Sequence, residues 1–380
     1  MRKFSLLGLF TLLALIIAIS SGCASSEKTL ATLNTGNTLA TLKEAKTNSI
    51  VPLKTEYSPE VGYVGSGVCG DCHGGEYANW SESLHGKMLQ DPKKDTSIVI
   101  GDFTKVNNPL DVPTVKEKYT KDDFVLTIGS KNKQRYVVQD GEALRILPYE
   151  WIVGSQSWQA YHPDDWNKID YKDACISCHS TGYDSKTRQY KELGVSCEAC
   201  HGPGEKHAKS EKVEDIVNPA KLPIARQTEV CAQCHNRGEN AKIKTREDAY
   251  GFLPGNTLND FFKPIAPKFV AGEKNFYEDG DSKAHHQQYN DYVQSEHYKS
   301  GLLSCQTCHD SHSKESPNLR VTKTNAEIRN LCASCHFEDF KNIPPADKFE
   351  IEKYMPKRAK SGVPNDITTH TFRIPLKAGE

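Results

Sequence analysis

Residues Cys175–His207 read CISCHSTGYDSKTRQYKELGVSCEACHGPGEKH. The segment holds two Cys-x-x-Cys-His motifs, Cys175–His179 and Cys197–His201. That pattern attaches c-type haem. Two cysteines separated by two residues match the two vinyl groups of one porphyrin. The histidine that follows lies under the iron as its proximal ligand. Two such motifs this close hold two haems side by side.

The same motif recurs along the chain. Of 13 cysteines, twelve fall in six copies: Cys69-Cys72-His73, Cys175-Cys178-His179, Cys197-Cys200-His201, Cys231-Cys234-His235, Cys305-Cys308-His309 and Cys332-Cys335-His336. Structural zinc and iron–sulfur sites also use cysteine pairs, but they do not need a histidine after every pair. The expectation is therefore six covalently bound haem c groups, with no motif cysteine left for disulfides. Only 37% of the residues are hydrophobic and the mean hydropathy is −0.62. Such a chain is thin for one large apolar core, so the porphyrins take that place. The formal charge is −1. Haem propionates make the loaded protein acidic, which argues against a nucleic-acid partner.

Working outward, residues 1–22 have a basic start at Arg2 and Lys3 and then an apolar run, as an export signal does. The run is short for a spanning helix. It ends Ser20-Ser21-Gly22-Cys23, which marks Cys23 as a lipidation site and the segment as a lipoprotein signal. Residues 23–60 are rich in Ser, Thr, Asn and Lys and read as a flexible tether. Residues 61–380 form the haem domain, opening with a helix that carries Tyr77, Trp80 and Leu84 on one face. Between the first two motifs lies a β-rich insertion at about 97–166. Its segments Asp123–Gly129, Gln134–Asp140 and Leu144–Glu150 read as strands of a small meander. Glu350–Pro356, EIEKYMP, has the spacing of a seventh motif without its cysteines or histidine and reads as a decayed haem site.

The chain has 14 histidines. Beyond the six proximal ones stand His85, His162, His207, His285, His286, His297, His312 and His370. Of these, His85, His207, His297, His312 and His370 are distal-ligand candidates. One of His285 and His286 joins them, with His286 carried forward. Met is scarce, so bis-histidine ligation and low potentials are expected. Two imidazoles on opposite faces of one iron need Cα atoms about 10 Å apart, near the reach of three residues. His312, three residues after His309, therefore serves a neighbouring haem. His207, across Gly-Pro-Gly from His201, is expected to do the same. A helix between His73 and His85 spans about 18 Å, which sends His85 to another haem too.

These residues resemble the multihaem cytochromes typified by cytochrome c-554, related to the hydroxylamine oxidoreductase and cytochrome c nitrite reductase group. The resemblance rests on Ser66–His85, Gly194–His207, His285–His312 and His370–Pro375. It implies a mainly α fold with much irregular loop, packed haem pairs, a periplasmic or outer-surface location, and electron transfer. In that family the matching positions to His85, His297 and His312 are commonly distal ligands. The chain departs from the type member in having six motifs instead of four, and Glu350–Tyr354 puts the iron for His370 in question. All six motifs end in His, whereas the nitrite-reductase relatives use Lys in the catalytic motif. The reading is an exported electron carrier, in the periplasm or at the outer membrane. A quinol-linked cytochrome would donate to it, and an outer-membrane or extracellular protein would accept. Two alternatives remain: a reductase of nitrite, hydroxylamine or a sulfur oxyanion with one open iron, and a subunit of a cytochrome filament.

Overall fold

Gly, Pro and the motif cysteines interrupt the chain so often that no long helix can propagate. A computed structural model describes residues 62–314, 325–337, 345, 349–360 and 363–373. The signal, Cys23 and the tether lie outside these residues. Among the described residues no helix exceeds nine residues, and none is long and apolar enough to cross a membrane. The first helices are Ser66–Gly70 and Gly74–Glu82. Leu84 lies past the end of the second, so only Tyr77 and Trp80 pair on it, with ring centroids 5.6 Å apart. Trp80 instead spends its indole N–H on the carbonyl of Val195 at 2.8 Å.

The regular structure is less helical than the family resemblance implies. A six-stranded antiparallel sheet occupies the insertion, with β1 (Leu89–Gln90), β2 (Phe124–Ile128), β3 (Lys133–Asp140), β4 (Ala143–Ile146), β5 (Tyr149–Ile152) and β6 (Ser157–Ala160). The order is β1-β2-β3-β5-β6, and β4 and β5 pair with opposite ends of β3. The third expected strand is thus split near Pro148, whose missing N–H cannot continue a ladder.

Alternation along β3 sets the two faces of the sheet. Tyr136 and Val138 join an aromatic cluster with Phe124, Trp151, Trp158 and Trp166. Val137 faces the other way, onto Leu89, Leu126, Ile128, Leu144, Tyr171 and Ile176. A register shift in β2 between Phe124 and Leu126 lets these two residues serve opposite faces. Buried Gln134 meets its own polar needs. Its amide donates to the carbonyls of Ile98 and Gly129 at 2.8 and 3.1 Å, and its oxygen accepts from Ile100 N–H and the Tyr136 hydroxyl. The second face packs directly on the Cys175 motif, because Ile176 lies within it and Tyr171 just before it.

Near the C-terminus, strands Lys357–Lys360 and Val363–Thr368 form a hairpin. Arg358 and Arg373 pair with Asp279 and Asp281, fastening the hairpin and the segment after it. Glu350–Tyr354 is a single tight turn, closed by Tyr354 N–H on Ile351 O at 2.9 Å, with Phe349 stacked on Tyr354.

Candidate functional site

Each described motif winds into about one helical turn. His73, His235, His309 and His336 donate their backbone N–H to the carbonyl of the first cysteine at 2.8, 3.0, 2.9 and 3.0 Å. Residues i, i+3 and i+4 of such a turn share one face. Both thiols and the imidazole therefore point toward the same space, as attachment of one porphyrin requires. All twelve motif cysteines are free thiols. Burial pushes the Cys200 thiol up to about 11 and the Cys175 thiol up to about 12.

The histidines supply the test of fit. An iron held by two metal–nitrogen bonds of about 2.0 Å separates the two ring centroids by about 6 Å. His73 and His207 stand 6.4 Å apart, and His201 and His312 stand 6.0 Å apart with nearly parallel rings. His85 and His235 are 6.2 Å apart, His309 and His370 also 6.2 Å, and His297 and His336 5.8 Å. Five motif histidines thus each face a second imidazole at a separation that fits an iron between them. In every case the facing histidine comes from elsewhere in the chain. His207 follows the third motif but faces the first. His312 follows the fifth but faces the third. His85 follows the first but faces the fourth. His370 faces the fifth motif, so its partner does not depend on Glu350–Tyr354.

Local structure fixes these rings. Imidazole Nδ1–H donates to Val217 O in His201 (2.8 Å), to Lys212 O in His207 (2.9 Å) and to Thr368 O in His370 (3.1 Å). His235 Nδ1 bonds Gln288 Oε1 at 3.1 Å. These bonds leave Nε2 for metal and hold the ring plane. Burial and the neighbouring His235 lower the pKa of His85 to about 4, which keeps it neutral, as a ligand must be. The His85 loop reaches its place because Gly194, at φ +80°, lets Val195 N–H meet His85 O at 3.0 Å. A Cβ at Gly194 would stand 2.8 Å from Gly86 O.

The motifs also touch one another. The thiols of Cys69 and Cys197, of Cys178 and Cys234, and of Cys231 and Cys305 lie beside one another. The Gln233 side chain donates to Ala199 O at 3.0 Å, tying the fourth motif to the third. His297 and His370 both contact Phe372, at 4.5 and 6.1 Å between centroids, which links the fifth and sixth. The first motif therefore meets the third, the third meets the fourth, and the fourth is a junction to the second and the fifth.

His179 of the second motif differs from the rest. Among the described residues no second imidazole pairs with it at the spacing of the other five; its ring neighbour is Tyr171, whose hydroxyl lies 2.7 Å from His179 Nδ1, and His285 and His286 lie near enough to feel its charge. Burial and the nearby Arg135 lower its pKa to about 4. His286 does not oppose a motif histidine. Its Nε2 accepts from Arg237 Nε–H at 3.2 Å and its ring touches His285 at 4.8 Å. Burial, Arg237, His235 and His179 lower its pKa to about 3. His162 is half exposed beside Asp165. Around His179 the sheet contributes residues that sequence reasoning missed. Lys133 and Arg135, two apart on β3, both pair with buried Glu150 on β5, Arg135 at 2.6 Å. The Arg135 guanidinium lies 3.8 Å over the Tyr161 ring. Burial and Arg135 lower the pKa of Lys133 to about 8. His285 feels the charges of Lys133, Arg135 and His179. The signal was present in the spacing: charges at i and i+2 inside an otherwise buried strand.

Comparisons with known proteins find multihaem relatives. Residues 153–202 match the family model for cytochrome c554 and c-prime, and residues 297–341 match the doubled CXXCH motif. A C-type polyheme cytochrome, OmcC, of Geobacter sulfurreducens is 32% identical over 23% of this chain and 12% of its own. Dissimilatory sulfite reductase MccA of Wolinella succinogenes is 22% identical over 73% of this chain and 47% of its own. The chain thus spans less than half the length of either curated relative. Among solved structures, the outer cell wall cytochrome OcwA superposes with a TM-score of 0.67 at 22% identity, over 82% of this chain and 79% of that one. It shares the fold. A chain built of such motifs, with the cytochrome c554 and c-prime model matched across the second and third of them, is a multihaem c-type cytochrome.

Proposed function

We propose that the chain conducts electrons through six haem c groups, attached at the six cysteine pairs. His73, His179, His201, His235, His309 and His336 are the proximal ligands. His207, His312, His85, His370 and His297 are distal ligands to the His73, His201, His235, His309 and His336 irons. The observation that carries this is the set of five imidazole pairs at 5.8 to 6.4 Å, all closed within one chain. Haem c supplies a one-electron iron couple. The protein sets spacing, pins His179, His201, His207, His235 and His370 through Nδ1 and excludes water. The chain is exported, with Cys23 as lipid anchor, and hands electrons from a quinol-linked donor to an outer-membrane or extracellular acceptor.

A second reading concerns His179 alone. With no second imidazole at that spacing among the described residues, its iron is left one open face, while Lys133, Arg135 and Arg237 stand against Glu150, and Asp248 beside Ser177 is paired with Arg246. Such an excess of positive charge attracts small anions. A sulfur oxyanion is the substrate class nearest to the printed activity of the MccA relative, with nitrite and hydroxylamine beside it. Low-temperature EPR tests both readings. The holoprotein is expected to show one high-spin iron among six. His312→Ala is expected to add a second, from the His201 haem. A His312→Ala spectrum equal to that of the parent would refute the assignment. Absence of turnover with reduced dye and each of the three substrates would leave conduction alone.

A further inference from the structure

The proximal side of the second motif differs from that of the third and fourth. His201 Nδ1 bonds a backbone carbonyl and His235 Nδ1 an amide oxygen. His179 Nδ1 meets the phenol oxygen of Tyr171 at 2.7 Å. Tyr171 has no exposed surface and sits in the cluster of Leu89, Leu126, Val137 and Ile176. It is also held from outside. Asp170 caps its helix, accepting from Lys172 N–H at 3.0 Å and Leu144 N–H at 3.1 Å. Tyr183 then donates to Lys172 O at 2.8 Å. The hydroxyl thus has no room to leave its place.

Metal on Nε2 forces the imidazole proton onto Nδ1, so His179 is the donor and the phenol the acceptor. A neutral phenol is a poorer acceptor than a carbonyl oxygen. It draws the Nδ1 proton less, so the imidazole gains less anionic character and gives less electron density to iron. Ferric iron is then stabilised less, and the iron–histidine bond is weaker. We propose that Tyr171 is a positioning residue that orients His179 and, as a weak acceptor, holds the reduction potential of its haem above the value a carbonyl acceptor would set. This rests on the open-iron reading of His179.

Tyr171→Phe, Tyr171→Gln and, as a packing control, Tyr183→Phe would be made in the full holoprotein. Resonance Raman of the ferrous protein reads the iron–histidine stretch of the high-spin haem, and spectropotentiometry reads its potential. Phe removes the acceptor, so the stretch falls and the potential rises. Gln offers a carbonyl, so the stretch rises and the potential falls. Tyr183→Phe moves neither. Should the Phe variant not accumulate, the Gln variant decides alone by the sign of its shifts. Shifts of the same sign in Phe and Gln, or none, would overturn the role of Tyr171 while leaving the open iron intact. A parent protein without any high-spin iron would overturn both.

Discussion

Glu198→Ala is expected to lower the thermal midpoint of the holoprotein by many degrees and to convert the first haem to high spin. Glu198 lies inside the third motif, between Cys197 and Ala199, and is 1% exposed. Its carboxylate does not face solvent or a cation. It accepts three backbone N–H groups: Val64 at 2.9 Å, Gly65 at 2.7 Å and Gly204 at 2.7 Å. Gly65 reaches it at φ +90°, a conformation that a side chain would resist. The acid thus clamps the segment entering the first motif onto the loop that leaves the third. That loop begins the helix Glu205–Ser210, which carries His207 to its place 6.4 Å from His73. Each buried N–H left without an acceptor costs about 1–3 kcal/mol, and a typical domain has only about 5–15 kcal/mol to lose. Truncation would orphan three at once and free His207 as well. Glu198→Gln keeps the shape and one oxygen, so it should fall between. Thermal unfolding and EPR on the same samples check the argument. A variant with the parent's midpoint and spin state would show that the clamp is ornamental.

Much of the candidate site could be read in the sequence, for physical reasons that stop at identifiable residues. Cys-x-x-Cys-His is a local geometry, so all six motifs are visible without a fold. Short spacing was also informative: three residues cannot carry His312 around its own iron, and the structure sets it opposite His201. His286 shows the limit. Two adjacent histidines look alike in sequence, and only the approach of Arg237 and His285 decides what each one meets. The sheet was seen as strands, but the destination of Arg135 was not. Which motif it serves depends on the register of β3 against β5 and on which sheet face meets Tyr171 and Ile176. Tyr171 is hidden for the same reason. It precedes His179 by eight residues, and the kink at Cys175 between two short helices brings its hydroxyl back to the ring. Long-range register of this kind is a property of the packed chain.

The junction makes the second strong expectation. Replacing Cys231 and Cys234 together by Ser should abolish accumulation of the folded protein, or leave a residue of molecules that cannot pass electrons from the first and third haems to the second, fifth and sixth. The fourth motif meets the second, third and fifth through its own thiols and the Gln233 side chain. Its helix, Ile224–Ala232, buries Thr228, Val230 and Ala232. A chain with 37% hydrophobic residues has little apolar side-chain volume to fill the space of a missing porphyrin. At about 24 cal/mol per Å³, a void of roughly 400 Å³ costs about 10 kcal/mol, which is the margin of a whole domain. His85 would lose its metal as well, and the loop from Ser83 to Lys87 would lose the contact that orders it. The paired comparison is Cys332→Ser with Cys335→Ser at the sixth motif. That motif stands at one end of the path, where Cys335 is exposed. Its loss should remove one haem by mass and spectrum and leave the other five reducible, because no route among them passes through it. Stopped-flow reduction of both variants reads the difference. Equal damage from the end and the junction would mean that the motifs fold as one indivisible unit and that the branch at the fourth has no special weight.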